Sequence, residues 1–260
     1  MTFTSTTTTA IDYLKRWDAQ QTAYIRHRDL RFAAMARIVS DLSRDTTRPR
    51  ILDLASGPGS LGRALLDEIP HARVVMADKD PALLAIAANA HAGDDRVEIL
   101  ETDLDDPGWT AAPVLAEPFD AIVSTTALHW LRPETLVRVY FELAGMLRPQ
   151  GVFLNGDHLA FDAVSAPTLH ALSSRDDELQ QKAAFSSGTE TWDQWWAALG
   201  ADPDYAEAMR AREIAWGGPL DTPPPKVTLG FHIEALRCAG FTEAGTAWQY
   251  LDDYIVSGIR

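Results

Sequence analysis

Between Arg50 and His158 the apolar positions switch back and forth between two rhythms. Short apolar runs, "ILDLA" (51–55), "ARVVMAD" (72–78), "RVEILETD" (96–103), "FDAIVSTT" (119–126) and "GVFLNGDH" (151–158), have the length and β-branched content of buried strands. Between them, "SLGRALLDEI" (60–69), "PALLAIAANAHA" (81–92) and "PETLVRVYFELAGML" (133–147) repeat apolar residues at three- and four-residue steps, which predicts amphipathic helices. Pro81 stands where proline favours a helix start. Strands separated by helices of this length predict right-handed βαβ crossovers and a parallel sheet.

The flanks follow a different pattern. Residues 1–9 are Thr-rich and expected to fray. From Ala10 to about Leu42 the spacing is helical, with Ile11, Leu14 and Trp17 on one face and Tyr24, Phe32, Met35, Ile38 and Val39 further along. "SRDTTRP" (43–49) then ends the helix. After His158 the alternation stops, and helical patches at 168–185 and 189–200 precede a Pro-rich break, "GGPLDTPPPK" (217–226). "HIEALRCAG" (232–240) predicts a last helix, and "FTEAGTAWQYL" with "DDYIVSGIR" an antiparallel pair. The expected organisation is one doubly wound α/β domain: a helical N-terminal cap (1–49), an α/β core (50–158), a helical insertion capping the substrate side (159–226), and a helix and hairpin completing the core (227–260).

Composition narrows the partners. The 260 residues are 46% hydrophobic and 23% charged, ordinary for a globular chain. A formal charge of −14 argues against a nucleic acid or an anionic membrane as partner, since both need clustered Lys and Arg. The one cysteine, Cys238, lies in a helical pattern and is expected to be buried. No Cys/His group has zinc spacing, and no metal is expected. No stretch resembles a secretion signal or the ~20-residue apolar run of a membrane span, so a cytoplasmic location is expected, as a monomer or homodimer.

"ILDLASGPGSLG" (51–62) contains Gly57-x-Gly59-x-x-Gly62, the spacing of a dinucleotide loop. Asp78 ends the next strand at a distance suited to binding ribose hydroxyls, which both a dinucleotide and an adenosine-containing cofactor would use. Asp53 disfavours a pyrophosphate and favours a cationic ligand such as S-adenosylmethionine, whose ammonium and sulfonium are positive. Equally, Asp53 could simply hydrogen-bond the glycine turn.

From Arg50 to Asp157, with an echo at 231–260, the chain resembles the class I S-adenosylmethionine-dependent methyltransferases, in the small-molecule branch of trans-aconitate methyltransferases. "LDLASGPGSLG", "VVMADKD", "ETDL", "FDAIVSTTALHW" and "LRPQGVF" are similar to five family motifs in order, and "AGFTEA…YIVSGIR" is similar to the hairpin closing the family's seven-stranded, mostly parallel sheet. The resemblance implies that Asp53, Ser56, Gly57, Pro58 and Gly59 hold the methionine part. It places Asp78 on the ribose, Lys79 beside the adenine, Asp103 and Leu104 at the adenine amino group, and Ser124 and Thr125 near the methyl. Asp103 could instead cap a helix before "DDPGW". Ala55 stands where the family usually has glycine, which implies φ below zero there.

Methyl transfer is an in-line displacement with a ready-made electrophile, so the protein contributes mainly alignment. A base is needed only for an acceptor that carries a proton. His129, in "TTALHWL", is the candidate base, or a residue that orders its turn against Trp130. His158 is a second candidate. No Pro-Pro-aromatic stretch follows the fourth strand, which argues against methylation of nucleic-acid bases. Of seven aromatic residues in the cap, Tyr13, Trp17, Tyr24, Trp192, Trp195, Trp196 and Trp216, two or three are expected to reach a small acceptor and the rest to pack. Tyr24, Trp195 and Trp196 are the chosen three, with Trp130, His129 and His158 completing the substrate set. The expected activity is O-methylation of a hydroxyl or carboxyl of a small molecule of secondary metabolism, releasing S-adenosylhomocysteine; an NAD(P)-dependent oxidoreductase is the alternative.

Overall fold

A computed structural model describes residues 9–217 and 226–260. The Thr-rich residues 1–8 and the Pro-rich residues 218–225 lie outside them. The sheet strands are β1 (Arg50–Leu54), β2 (Arg73–Asp78), β3 (Val97–Glu101), β4 (Phe119–Thr125), β5 (Leu147–His158), β6 (Glu243–Tyr250) and β7 (Asp253–Ile259). Their order is β3-β2-β1-β4-β5-β7-β6. The first five are mutually parallel, and β7 runs antiparallel to both β5 and β6. The order reverses between β1 and β4, which opens a crevice at their carboxyl ends.

Helices cover both faces of the sheet. Among the described residues they are α1 (Ala10–Tyr24), α2 (Arg28–Leu42), α3 (Ser60–Glu68), α4 (Pro81–Ala90), α5 (Pro133–Met146), α6 (Pro167–Ser186), α7 (Trp192–Gly200), α8 (Ala206–Trp216) and α9 (Leu229–Cys238). The strand period of two sorts the core. Leu52, Leu54 and Ile122 face α5 and α9 with Tyr140 and Leu236, whereas Ile51, Val123 and Leu154 face α2 and α3 with Met35 and Leu65. Asp53 alternates with Leu52 and Leu54, so it shares the α3 face and is wholly buried there. A third cluster, with Tyr13, Trp17, Leu83, Ile86, Trp195 and Leu199, fixes α1 and α7 onto α4.

Two expectations change. The continuous helix from Ala10 to Leu42 is two helices, because Ile25 is extended and His27 is left-handed at φ 51°. The break sends Arg26 into a buried cluster, where it pairs with Asp252 at 2.6 Å and Asp253 at 2.9 Å. Cys238 is exposed, because it ends α9 on the face turned away from the Ala235 and Leu236 contacts. Among the described residues no helix is long and apolar enough to cross a membrane.

Candidate active site

The glycine loop joins β1 to α3 at the crevice. Ala55, Gly57 and Gly59 all have positive φ, at 54°, 55° and 88°. The expected negative φ at Ala55 is therefore corrected: the bond from Ser56 N–H to the Ala77 carbonyl at 3.0 Å fixes the turn. An alanine in that conformation costs about 1 kcal/mol. The three motif glycines serve different ends. A Cβ on Gly59 would lie 2.7 Å from Met76 Sδ, and one on Gly62 2.5 Å from Met76 Cε. A side chain at either position would have to displace the buried end of Met76, and the φ of 88° at Gly59 favours glycine there in its own right. Gly57 alone of the three faces the crevice.

A cavity of about 210 Å³ lies over the ends of β1, β2 and β4. Asp78, Lys79, Asp103 and Leu104 are on its wall, together with Gly57 and Trp130. The Asp78 carboxylate accepts the Gly57 N–H at 2.7 Å and the Asp80 N–H at 2.8 Å. Burial raises its pKa to about 6 despite those two bonds. Asp103 accepts the Asp105 N–H at 3.0 Å and lies 3.6 Å from Lys79 Nζ. Its carboxylate therefore orders a turn, not a helix, and still faces the cavity. Lys79 Nζ also sits 4.1 Å from the Trp216 ring centre, and Trp216 Nε1 donates to Asp80 at 3.0 Å. Trp216 is thereby drawn from the end of α8 onto the cavity wall.

A smaller cavity, about 60 Å³, continues between α1, α2 and the start of α3. Ser56, Pro58 and Thr125 line it together with Arg28 and Ser60. Thr126 borders both cavities and has φ 56°, a costly conformation for a β-branched residue. Its hydroxyl accepts from Arg31 Nη2 at 2.7 Å.

Several expected site residues fall elsewhere. Asp53 does not reach either cavity; its carboxylate accepts the Gly62 N–H at 2.8 Å beneath α3. The turn-bonding alternative describes it. Ser124 is fully buried with its hydroxyl unpartnered, and it is Thr125 at the end of β4 and Thr126 in the left-handed turn beyond it that border the crevice. Trp195 is wholly buried against Tyr13 and Trp17, and Trp196 packs edge-on to both Trp195 and Trp17. Tyr24 packs on Phe185. All three build the cap, and the aromatic residues that reach the cavity are Trp17, Trp130 and Trp216. His158 lies 3.5–3.6 Å from Asp252 and Asp253, beside Arg26 and off both cavity walls.

His129 follows β4 in a 3₁₀ turn; its neighbours Leu128 and Trp130 line the larger cavity, but His129 itself lines neither cavity. Its Nδ1 is 2.6 Å from Asp157 Oδ1, and its backbone N–H donates to Asp157 Oδ2 at 3.2 Å. Burial pushes the Asp157 carboxyl up, but the facing charges of His129 and Arg31 outweigh it and hold the pKa below the usual range. Asp157 holds the imidazole with Nε2 unclaimed among the described residues. It was legible only as the residue before His158; its place at the end of β5 was the available signal. Arg28 and Arg31 were masked by the helical pattern around them.

Burial raises the Asp53 pKa from 3.8 to about 7, because the Gly62 amide only partly offsets the desolvation of its charge. The folded form then binds its proton more tightly than the unfolded chain. Stability from this group is full below pH about 4 and fades as the pH rises through about 7. Asp53→Asn is expected to raise stability by about 2 kcal/mol at pH 8 and little at pH 4. Urea unfolding at the two pH values checks it; equal gains at both would contradict the buried-charge account.

Residues 51–151 match the family described as a methyltransferase domain. That stretch, from β1 into β5, is the part of the chain that is similar to a methyltransferase domain. A trans-aconitate 2-methyltransferase of Streptomyces avermitilis is 37% identical over 121 residues, which is 44% of this chain and 41% of that protein. The chain thus matches less than half the length of that relative. Among solved structures, a CurJ carbon methyltransferase superposes with a TM-score of 0.60 at 12% identity, covering 96% of this chain and 59% of that one. PigF with S-adenosylhomocysteine gives 0.53 at 17%, covering 95% and 66%. The likeness to those two structures extends to the fold alone.

Proposed function

We propose that this chain moves the methyl group of S-adenosylmethionine onto an oxygen of a small molecule. The observation that carries the reading is the acidic wall of the larger cavity. Asp78, Asp80, Asp103 and Asp105 face Lys79, whose charge Asp103 already partly meets. Asp78 also occupies the Gly57 N–H, the loop donor that a pyrophosphate would need. A dianionic dinucleotide would meet repulsion here, whereas a cationic, phosphate-free nucleoside would not. Asp78 would accept the ribose hydroxyls and Asp103 the adenine amino group. The cofactor supplies the electrophilic methyl; the loop and the Trp17, Trp130 and Trp216 walls align it and exclude water. For a hydroxyl acceptor, His129 Nε2 would take the proton as the new carbon–oxygen bond forms, with Asp157 orienting the ring. A carboxylate acceptor would need no base.

The names of the relatives that are trans-aconitate 2-methyltransferases favour a small acidic acceptor, whereas a release factor glutamine methyltransferase of Chlorobaculum tepidum, 29% identical over 143 residues, is named for a protein. Isothermal titration is expected to give saturable binding of S-adenosylhomocysteine and none of NADH or NADPH. Binding of a reduced dinucleotide without S-adenosylhomocysteine would overturn the reading. Incubation of labelled S-adenosylmethionine with small-molecule extracts would then identify the acceptor.

A further inference from the structure

We propose that Asp80 is a positioning residue that docks the last turn of α8 on the larger cavity, making Trp216 a retaining wall whose release sets how fast a bound nucleoside leaves. The proposal rests on the methyl-transfer reading and gives the helical insertion a part in it.

The two ends of α8 are held by different forces. Its first turns follow buried Tyr205 and lay Ala208 and Met209 against the cluster of Tyr13, Trp17 and Trp195. Its last turn adds no residue to that cluster; Glu213, Ile214 and Ala215 are exposed, and none of the described residues of α8 is buried. A helix end with so little apolar burial opens at low cost. Arg212 and Trp216, four residues apart and therefore on one face, hold it down. Both end on the same atom. Asp80 Oδ2 accepts the Trp216 Nε1–H at 3.0 Å and lies 2.8 Å from Arg212 Nε, off the hydrogen-bond axis, so that second contact is one of charge.

Asp80 is a firm anchor. It is 1% exposed, and its Oδ1 accepts the Ala82 N–H at 3.0 Å as the N-cap of α4. Its own N–H donates to Asp78, whose carboxylate also holds the Gly57 N–H. One carboxylate thus connects the insertion to the residue that would accept the ribose hydroxyls and, through it, to the glycine loop. Around this anchor, cations and rings alternate. Lys79 Nζ is 4.1 Å from the Trp216 ring centre, and the Arg212 guanidinium is 5.5 Å from Trp216 and 4.0 Å from Trp196.

Lys79, Asp80 and Trp216 line the cavity, and Arg212 does not. A wall fixed by polar contacts to one carboxylate can leave and return without disturbing the apolar core, as a lid does. Substitution of Arg212 therefore loosens the wall without removing any group that faces the ligand.

Stopped-flow displacement of S-adenosylhomocysteine from the full chain tests this. Arg212→Met is expected to raise the dissociation rate roughly 10-fold and to leave the association rate within about threefold of wild type, because the closed form alone is weakened. Asp80→Asn, which keeps an acceptor for the α4 amide but loses the charge, should match it. Trp216→Phe keeps the ring without the N–H and should fall between. Hydrogen exchange supplies a second readout: S-adenosylhomocysteine should slow exchange in the last turn of α8 in wild type and do so far less in Arg212→Met. Wild-type dissociation rates in folded Arg212→Met and Trp216→Phe, even with lowered urea stability, overturn the proposal and leave the methyl-transfer reading standing. Should Arg212→Met not fold, Trp216→Phe decides alone. A wild-type chain that does not bind S-adenosylhomocysteine overturns that reading, and the proposal with it.

Discussion

Replacing Asp78 by alanine is expected to weaken S-adenosylhomocysteine binding by roughly 100-fold or more. The side chain performs two tasks at once. Its oxygens hold the Gly57 and Asp80 amides at 2.7 and 2.8 Å, which sets the glycine loop against the end of β2, and they stand on the cavity wall where ribose hydroxyls would donate. Alanine removes the acceptor and leaves both amides unpaired, so loop order and ligand contact are lost together. Asp78→Asn keeps the volume and one acceptor oxygen and should fall between the two. Because burial raises this carboxyl's pKa to about 6, its charged, fully accepting form prevails above that pH. Cofactor affinity should accordingly decline as the pH drops below about 6. Calorimetry across pH 5 to 8 reads both effects, and an alanine variant within threefold of wild type would remove Asp78 from the ribose.

Exchange of His129 for alanine is expected to lower kcat by roughly 10²–10⁴-fold for a hydroxyl acceptor, with KM little changed. The 2.6 Å contact to Asp157 fixes one ring nitrogen and leaves the other as proton acceptor beside Leu128 and Trp130 of the wall. Added imidazole should restore part of the rate in the alanine variant, which a residue serving only to order the turn would not allow. Asp157→Asn should reduce kcat less and leave S-adenosylhomocysteine affinity intact, since Asp157 acts through the imidazole. If the acceptor atom is a carboxylate oxygen, no proton has to leave, and His129→Ala would retain wild-type kcat. The same pair of measurements thereby identifies the class of acceptor atom.

Much of the architecture was legible because it depends on local rhythm. The short apolar run in "FDAIVSTT" and the three-and-four spacing in "PETLVRVYFELAGML" place β4 and α5 without reference to any other segment. The positions of Asp78 and Asp103 follow the same logic, since each ends or follows a strand where a doubly wound sheet opens. The N-terminal helix was misread at Ile25–His27 because nothing local breaks it; its break is set by Asp252 and Asp253, more than two hundred residues away. The aromatic residues were hardest. Trp195 and Trp216 both lie on helices of the insertion, yet one is sealed beneath Tyr13 while the other is drawn to Lys79 and Asp80 at the cavity.

The glycine loop marks the boundary between the two kinds of information. From the sequence alone came its place between β1 and α3, the ligand end of the sheet, and the carboxylates around it, because strand and helix periods and turn chemistry are properties of neighbouring residues. Only the folded chain decided what each loop residue does. Gly59 and Gly62 answer to Met76, Asp53 turns under α3 instead of toward a ligand, and Arg28 arrives from a helix that the loop never contacts in sequence. The physical reason is that burial and charge pairing are set by whatever surrounds a side chain in space. A residue's local pattern determines which face it takes, and the tertiary fold determines what that face meets.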